Sequence, residues 1–358
     1  MKKILISTGG SGGHVIPGIT FYKHLENENS VKIITDIRGS KFFNNESIKK
    51  DIIDVPYIGS NLFLLPIKLI YLLISFIKSF YYLKKNKIEI LISTGGYMSF
   101  PLCFSAIFLK VKIFLFEPNM VVGRTNKLIL KFSKKILCYN KDLIGLSDQY
   151  KNKVFLIDRI LSKEIYFIKK NNSQSLSNPL KLLIIGGSQG ASFFDNNMPD
   201  LIKELSKLCK IDLKQQVYDQ EKINQIENEY SKLDIKYELF TYDSDLYKIY
   251  NNYDIVITRS GASTISEISY FGVPFIAIPF PFAKDNHQYF NAKYYLEKNC
   301  CWLINQKEFN TKETVIFFKN LLENQTDFIS KKDNLNKISY QNTWNRVNQK
   351  IKELVNED

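Results

Sequence analysis

Ile4-Leu-Ile-Ser-Thr-Gly-Gly-Ser-Gly-Gly-His14-Val-Ile-Pro17-Gly18 runs from an apolar stretch into a loop with four glycines, then to a proline suited to a helix start. A buried strand feeding a glycine loop at a helix N-terminus is an anion site in outline. Backbone N–H groups point outward, the helix dipole favours negative charge, and missing Cβ atoms admit a phosphate. The pattern predicts a helix over 17–27 and a second strand over Val31–Asp36, the opening of a parallel sheet. The same architecture restarts at Lys181-Leu-Leu-Ile-Ile185, followed by Gly186-Gly-Ser-Gln-Gly190 and a helix from Ala191. Between the copies, residues 169–179 are polar and end in proline, as a linker or surface loop does. One copy per half predicts an α/β protein of two Rossmann-like domains rather than one long sheet.

At 358 residues the chain has room for two domains, each with its own core. Its net charge of +13, from 49 basic and 36 acidic residues, favours nucleotides, nucleic acid or an anionic membrane as partners. A lysine-rich genome gives the same excess, so charge alone decides little. The five cysteines show no metal-type spacing, and adjacent Cys300 and Cys301 suit neither a CxxC site nor an ordinary disulfide. They read as free thiols of a reducing cytosol. Met-Lys-Lys leads directly into the first strand without a signal-peptide core, which predicts a cytoplasmic protein.

Residues 62–85 are long and apolar enough to suggest a membrane span, but Pro66, Lys68 and Lys78 interrupt the run. Lys68, Tyr71, Ser75, Lys78 and Tyr82 recur every three to four residues and draw a polar stripe along one helix face. A core-packed helix is the first reading; a helix with a basic, apolar membrane-touching face is the second. Elsewhere the small and polar residues gather where strands end. Thr94-Gly95-Gly96-Tyr97, Glu117-Pro118-Asn119, Arg259-Ser-Gly-Ala-Ser-Thr264 and the 280–288 stretch each follow an apolar run. In open α/β sheets those carboxyl ends bind ligands. Residues 311–325 and 340–357 read as terminal helices, the last basic and amphipathic.

Neither glycine loop is the dinucleotide fingerprint. Val15 stands where G-x-G-x-x-G needs its third glycine, and no P-loop Lys-Ser/Thr follows. Hydride chemistry is the weaker reading, although Asp36 at a strand end would suit a ribose. Ser260–Thr264 opens a helix and offers N–H groups and hydroxyls to a nucleotide diphosphate. Glu267, three residues after Thr264, reads first as the partner in a capping box and second as a carboxylate for ribose hydroxyls. Of the three histidines, His24 falls on the first helix as a polar surface or packing residue, while His14 and His287 lie in loops after strands. His14 is either a structural tie or a general base whose ordinary pKa suits deprotonating a hydroxyl. No carboxylate can be assigned from sequence as its orienting partner.

Several motifs occur in register: Gly9-Gly-Ser-Gly-Gly-His14 with Pro17-Gly18, Gly95-Gly96-Tyr97, Glu117-Pro-Asn119 with Thr125-Asn-Lys127, Gly186-Gly-Ser-Gln-Gly-Ala191, Arg259-Ser-Gly-Ala-Ser-Thr-Ile-Ser-Glu267 and Asp285-Asn-His-Gln288. The set resembles the MurG family of bacterial peptidoglycan N-acetylglucosaminyltransferases over essentially the whole chain. The resemblance implies a GT-B architecture, two Rossmann-like domains with parallel sheets facing a cleft. An acceptor- and membrane-side domain is expected at 1–163, a UDP-GlcNAc-binding domain at 164–339, and a helix within 340–358 crossing back to the first. It implies inverting transfer of GlcNAc from UDP-GlcNAc to the C4 hydroxyl of undecaprenyl-diphospho-MurNAc-pentapeptide, lipid I to lipid II. No metal, cofactor or nucleic acid is implied. The enzyme would sit peripherally at the cytoplasmic face of the plasma membrane, with 62–85 as its docking surface.

Carried over by position, Ser11, Gly12 and Gly13 resemble the loop facing donor sugar and acceptor diphosphate, and His14 the candidate base. Asn119 is similar to a sugar-contacting asparagine and Ser188 to a diphosphate contact. Ala262, Ser263, Thr264, Ile265, Ser266 and Glu267 resemble the donor site, with Glu267 on the ribose; His287 and Gln288 resemble residues gripping GlcNAc hydroxyls. One departure stands out: the family's Gly-Asn-Pro-Val-Arg at the domain junction is replaced by Leu156-Ile-Asp-Arg-Ile-Leu-Ser-Lys-Glu164, where Arg159 or Lys163 could supply the charge. Two other readings stay open, a different GT-B transferase with a glycolipid acceptor and a catalytically silent sugar-nucleotide-binding scaffold at the membrane.

Overall fold

The computed structural model describes residues 1–43, 48–55, 65–171, 173–187, 191–243 and 245–356. Contacts divide the chain into two units, Met1–Tyr166 with Thr343–Asp358, and Phe167–Asn342.

The first unit is built on β1 (Lys3–Ser7), β2 (Ser30–Thr35), β3 (Lys50–Ile52), β4 (Ile90–Ser93), β5 (Lys112–Glu117), β6 (Lys135–Cys138) and β7 (Val154–Leu156). Its helices are α1 (Gly12–Leu25), α2 (Ile37–Ser40), α3 (Leu65–Lys85), α4 (Ser99–Phe108) and α5 (Arg124–Ile129). The strands pair in parallel in the order β3-β2-β1-β4-β5-β6-β7. Side chains alternate across a strand, and both faces here are covered. Ile4 and Ile6 therefore join one core with Phe21 and Leu25 of α1, while Leu5 joins another with Leu102 of α4.

The second unit repeats the plan with β8 (Leu180–Ile185), β9 (Ile211–Gln216), β10 (Lys236–Phe240), β11 (Ile255–Thr258), β12 (Phe275–Ala277) and β13 (Cys301–Leu303). Its helices are α6 (Ser192–Leu205), α7 (Ile223–Tyr230), α8 (Ala262–Tyr270), α9 (His287–Glu297), α10 (Thr311–Glu323) and α11 (Thr326–Ser339). Strand order is β10-β9-β8-β11-β12-β13, again parallel. In each unit the order reverses beside the first strand. That switch point, between β1 and β4 and between β8 and β11, opens a crevice at the strands' carboxyl ends.

The last helix, α12 (Trp344–Asn356), belongs to the first unit. Val347, Ile351, Leu354 and Val355 recur at helical spacing and are buried in the core that α1 covers. Trp344 stacks on His24 with ring centroids 3.6 Å apart, and His24 Nδ1 lies 3.2 Å from Asn348 Oδ1. His24 is thus a packing residue, and burial pulls its pKa down to about 4. The segment that departs from the family motif serves the same return. Asp158 pairs with Arg346 at 2.8 Å and Lys350 at 3.2 Å, Arg159 stacks on Tyr139 at 4.4 Å, and Lys163 lies 5.7 Å over the Trp344 ring.

The α3 helix overturns the core-packed reading and splits its polar stripe: Ser75 and Tyr82 turn inward, while Tyr71 and Lys78 stay exposed. Ser75 and Ser79 are buried, with Ser75 Oγ donating to the carbonyls of Asp54 and Tyr71. Tyr82 donates to Asp51 on the same side. Ile67, Leu69, Ile70, Leu73 and Ile77 are about half exposed or more, beside Phe104 and Phe108 of α4. Pro66–Lys85 is long and apolar enough to cross a membrane by length and composition.

Truncating Ile351 to alanine should destabilise the first unit by about 2–4 kcal/mol, as for other buried isoleucines. Denaturant unfolding checks this, and a loss below about 1 kcal/mol would mean that α12 is not part of that core.

Candidate active site

The loop after β1 is held from behind. Asp36, at the end of β2 and 1% exposed, accepts the Gly10 amide at 2.8 Å, the Gly39 amide at 2.8 Å and the Tyr97 hydroxyl at 2.8 Å. Arg38 Nε stands 3.7 Å away. Burial works against its ionisation, but the two amides, the Tyr97 hydroxyl and the Arg38 charge outweigh it and hold the pKa below the usual carboxylate range. Asp36 therefore shapes the glycine loop and caps α2, which is a different task from holding a ribose.

Helix α1 begins at Gly12, well before the proline that sequence reading placed at its start. Ser11 is its N-cap but makes no side-chain cap bond, and Gly12 and Gly13 form the first turn. Pro17, inside the helix, has no N–H to give the Gly13 carbonyl. Gly18 provides the close helix–strand approach, since a Cβ there would stand 2.9 Å from the Thr8 side chain. That is the role the fingerprint gives its third glycine, moved three residues along from Val15.

His14 consequently sits on the first turn of α1, at the switch point. Its Nδ1 lies 2.7 Å from the Thr94 carbonyl, which can only accept, so Nδ1 carries the proton and Nε2 the lone pair of the neutral ring. The orienting partner is a backbone carbonyl after β4 rather than a carboxylate. Gly95 and Gly96, both at positive φ, close around the imidazole: a Cβ at either would lie 3.4–3.5 Å from the ring.

Glu117 ends β5 and is 3% exposed. It accepts Asn119 N at 3.2 Å and Nδ2 at 3.0 Å, Gly123 N at 2.7 Å and Asn126 Nδ2 at 2.9 Å. Burial pushes its carboxyl up while these donors pull it back. Asn119 is thereby clamped on the loop rim. Asn126, which sequence reading placed in a motif but not in the site, lies beside His14 across Gly95.

In the second unit the post of Asp36 is taken by Gln216, whose Oε1 accepts the Gly186 amide at 3.0 Å while its Nε2 donates to the Thr241 carbonyl at 2.9 Å. Ser188 lies outside the described residues. Across the switch point α8 begins at Ala262 with Gly261 as N-cap and no side-chain cap bond. Thr264 is thus inside the helix, and the capping-box reading of Thr264 with Glu267 is replaced. A Cβ on Gly187 would lie 4.0 Å from Thr264 Oγ1, so the glycine loop and the helix start face each other. Ala262, Ser263, Thr264 and Glu267 keep partial exposure, whereas Ile265 and Ser266 turn into the core and present no side chain to the crevice.

Glu267 accepts from Tyr250 at 3.5 Å, and burial pushes its carboxyl up to about 7. Arg259, which opens the motif, is engaged elsewhere. It donates to the carbonyls of Ile278 and Pro279 at 2.9 and 3.1 Å and to Gln306 at 2.6 Å, tying the ends of β11, β12 and β13 together. Beyond β12, Asp285 and Asn286 both take left-handed conformations before α9. His287 Nδ1 lies 2.8 Å from the Lys284 carbonyl, and Gln288 Oε1 accepts the Phe280 amide at 2.9 Å. Both side chains stiffen the loop and leave His287 Nε2 and Gln288 Nε2 as its polar ends.

A protein from Pelagibacter ubique named UDP-N-acetylglucosamine–N-acetylmuramyl-(pentapeptide) pyrophosphoryl-undecaprenol N-acetylglucosamine transferase is 43% identical over 357 residues, covering 100% of this chain and 99% of that one. The chain belongs to the MurG family of glycosyltransferases. The glycosyltransferase family 28 N-terminal domain matches residues 4–138, and the family 28 C-terminal domain matches 181–354. A protein of the same name from Rickettsia bellii is 33% identical over 333 residues, covering 90% of this chain and 92% of its own. The crystal structure of Acinetobacter baumannii MurG aligns over 100% of both chains with a TM-score of 0.80 at 20% identity. The fold is accordingly GT-B, two Rossmann-like domains with parallel sheets.

Replacing Asp36 with alanine strands two loop amides and should destabilise the protein by about 2–4 kcal/mol at neutral pH. The depressed pKa fixes the sign: this stability is complete above the ordinary carboxylate range and is lost as pH falls through the folded-state value. Urea unfolding of both proteins at pH 7 and pH 3 should show their difference shrinking in acid.

Proposed function

We propose that this chain moves GlcNAc from UDP-GlcNAc to the C4 hydroxyl of the MurNAc in undecaprenyl-diphospho-MurNAc-pentapeptide, with inversion at the anomeric carbon. The observation that carries the reading is His14, its tautomer set by the Thr94 carbonyl and its ring fixed at the switch point beside a glycine loop. In the reaction His14 Nε2 takes the proton of the acceptor hydroxyl. The oxygen forms its bond to C1 of GlcNAc, the C1–O bond to the diphosphate breaks with its electron pair, and UDP leaves. Backbone amides at the start of α8, which the Gly187 turn faces, favour the departing charge. The neutral Gln216 behind that loop suits a dianion better than a carboxylate would. Glu267 accepts the ribose hydroxyls, Asn119 meets the sugar from its clamped position, and His287 and Gln288 meet GlcNAc hydroxyls.

The acceptor's lipid places the enzyme at the cytoplasmic face of the plasma membrane as a peripheral protein. Support comes from α3, which turns its serines inward and Ile67, Leu69, Ile70, Leu73, Ile74 and Ile77 outward, with lysines and no acidic residue along its length. Such a face gains by entering the headgroup region, and each lysine there adds about 1 kcal/mol.

Transfer of labelled GlcNAc from UDP-GlcNAc to lipid I, with lipid II as the identified product, tests the reading directly. His14→Ala should lower turnover by about 10²-fold or more while calorimetric affinity for UDP-GlcNAc stays near normal. Near-normal turnover would remove His14 as the base.

The raised carboxyl of Glu267 gives donor binding a pH dependence. Ribose hydroxyls stabilise the ionised form, so binding expels a proton below about pH 7, and affinity should rise from pH 6 to pH 8 and then level. Glu267→Gln should bind more weakly and lose that slope; a slope retained in the variant would sink the assignment.

A further inference from the structure

We infer that Arg38 is a diphosphate-binding residue of the acceptor site, a role that rests on the reading of the acceptor as a lipid-linked diphosphate sugar. The argument starts from an electrostatic mismatch between the two halves. Both glycine loops hang from the side chain that ends the second strand of their sheet, but Gln216 is neutral and Asp36 is charged. A carboxylate 2.8 Å behind the Gly10 amide repels a phosphate approaching from the front. An anion loop backed by that charge needs a cation beside it.

Arg38 is built into that place. Its guanidinium lies 4.9 Å from the Tyr97 ring centroid, donates from Nη2 to the Tyr97 hydroxyl, and keeps Nε 3.7 Å from Asp36 Oδ2. Tyr97 in turn donates to Asp36 at 2.8 Å, and its ring edge is 3.8 Å from where a Cβ on Gly10 would stand. Carboxylate, phenol and guanidinium thus form one rigid group against the loop. These contacts use Nε and one Nη2 hydrogen. Among the described residues the other Nη groups meet no protein partner, and the side chain is 55% exposed. A fork held beside an aromatic ring through the ring's own hydroxyl, with N–H groups to spare, can bind phosphate oxygens in pairs. Asp36 and Tyr97 lock the arginine, the arginine cancels Asp36, and the spare donors serve the diphosphate together with the Ser11–Gly13 amides.

The test compares full-length wild type, Arg38→Ala and Arg38→Lys in steady-state transfer, varying lipid I and UDP-GlcNAc separately. Arg38→Ala should raise the KM for lipid I about 10-fold or more and leave that for UDP-GlcNAc within about 2-fold; lysine should recover only part. With a lipid-linked monophosphate acceptor the gap between wild type and alanine should narrow. An unchanged lipid I KM, or equal effects on both substrates with a lowered melting temperature, would overturn the role and leave Arg38 as a brace for Asp36 and Tyr97. Should wild type transfer no GlcNAc at all, the proposed activity fails. Arg38 is then judged by calorimetry with geranyl diphosphate, where equal affinity in wild type and Arg38→Ala would overturn it.

Discussion

A glycine loop at a strand end is useful only if something holds it, because glycine itself prefers no single conformation. In this chain that constraint is met by an acceptor at the end of the second strand of each sheet, Asp36 for Gly10 and Gln216 for Gly186. Much of the first site follows from the Asp36 contact. It fixes Gly10, caps α2 through Gly39, and positions Tyr97, which follows the two glycines that close on His14. The Thr94 carbonyl that sets the His14 tautomer comes from the same β4 loop. Backbone geometry, rather than a second catalytic carboxylate, arranges the histidine.

Helix α3 shows how single hydroxyls can be buried beneath an exposed apolar face. Buried hydroxyls are tolerated there because each serine bonds a carbonyl one turn back, so no donor is stranded. Helix α3 packs on α4 where Phe76 meets Phe104 and Phe108 and the Ser105 hydroxyl donates to the Phe76 carbonyl. Six aliphatic side chains, Ile67, Leu69, Ile70, Leu73, Ile74 and Ile77, are left outside. Removing such area from water is worth roughly 25 cal/mol per Å², so a contiguous outward face of this kind favours a lipid boundary over bulk water.

The repeated plan was legible in the sequence because parallel strands buried on both faces must be continuously apolar, and Ile4–Ile6 and Leu182–Ile185 are. The amphipathic character of 340–357 makes the last helix legible, while its return to the first unit follows only from the family resemblance. Local rules failed where tertiary contacts outranked them. Pro17 was read as a helix start, but glycines at 12 and 13 let the helix begin earlier beside the switch point. Thr264 and Glu267 have capping-box spacing, but Gly261 holds the cap. The stripe on α3 divides in the structure, Ser75 buried and Tyr71 and Lys78 exposed, because tertiary contacts at Asp51 and Asp54 and not the period alone decide which polar groups turn inward. Gln216 and Arg38 carried no local signal; each gains its meaning only from the glycine loop it meets in space.

Two glutamates show how the same residue type is put to different uses. Glu117 is buried and Glu267 partly so, and burial pushes both carboxyls up. Glu117 receives four N–H donors from its own loop and helix, which occupy both oxygens. It is complete without a ligand and acts as the peg on which residues 118–126 are hung. Glu267 has one described donor, the Tyr250 hydroxyl at 3.5 Å. A carboxylate left so short of donors is costly to keep charged, and a ligand offering hydroxyls relieves that cost on arrival. The uneven supply of donors, more than burial or sequence spacing, separates the two: Glu117 is satisfied by its own loop and helix, whereas Glu267 keeps acceptor capacity that the described residues do not use.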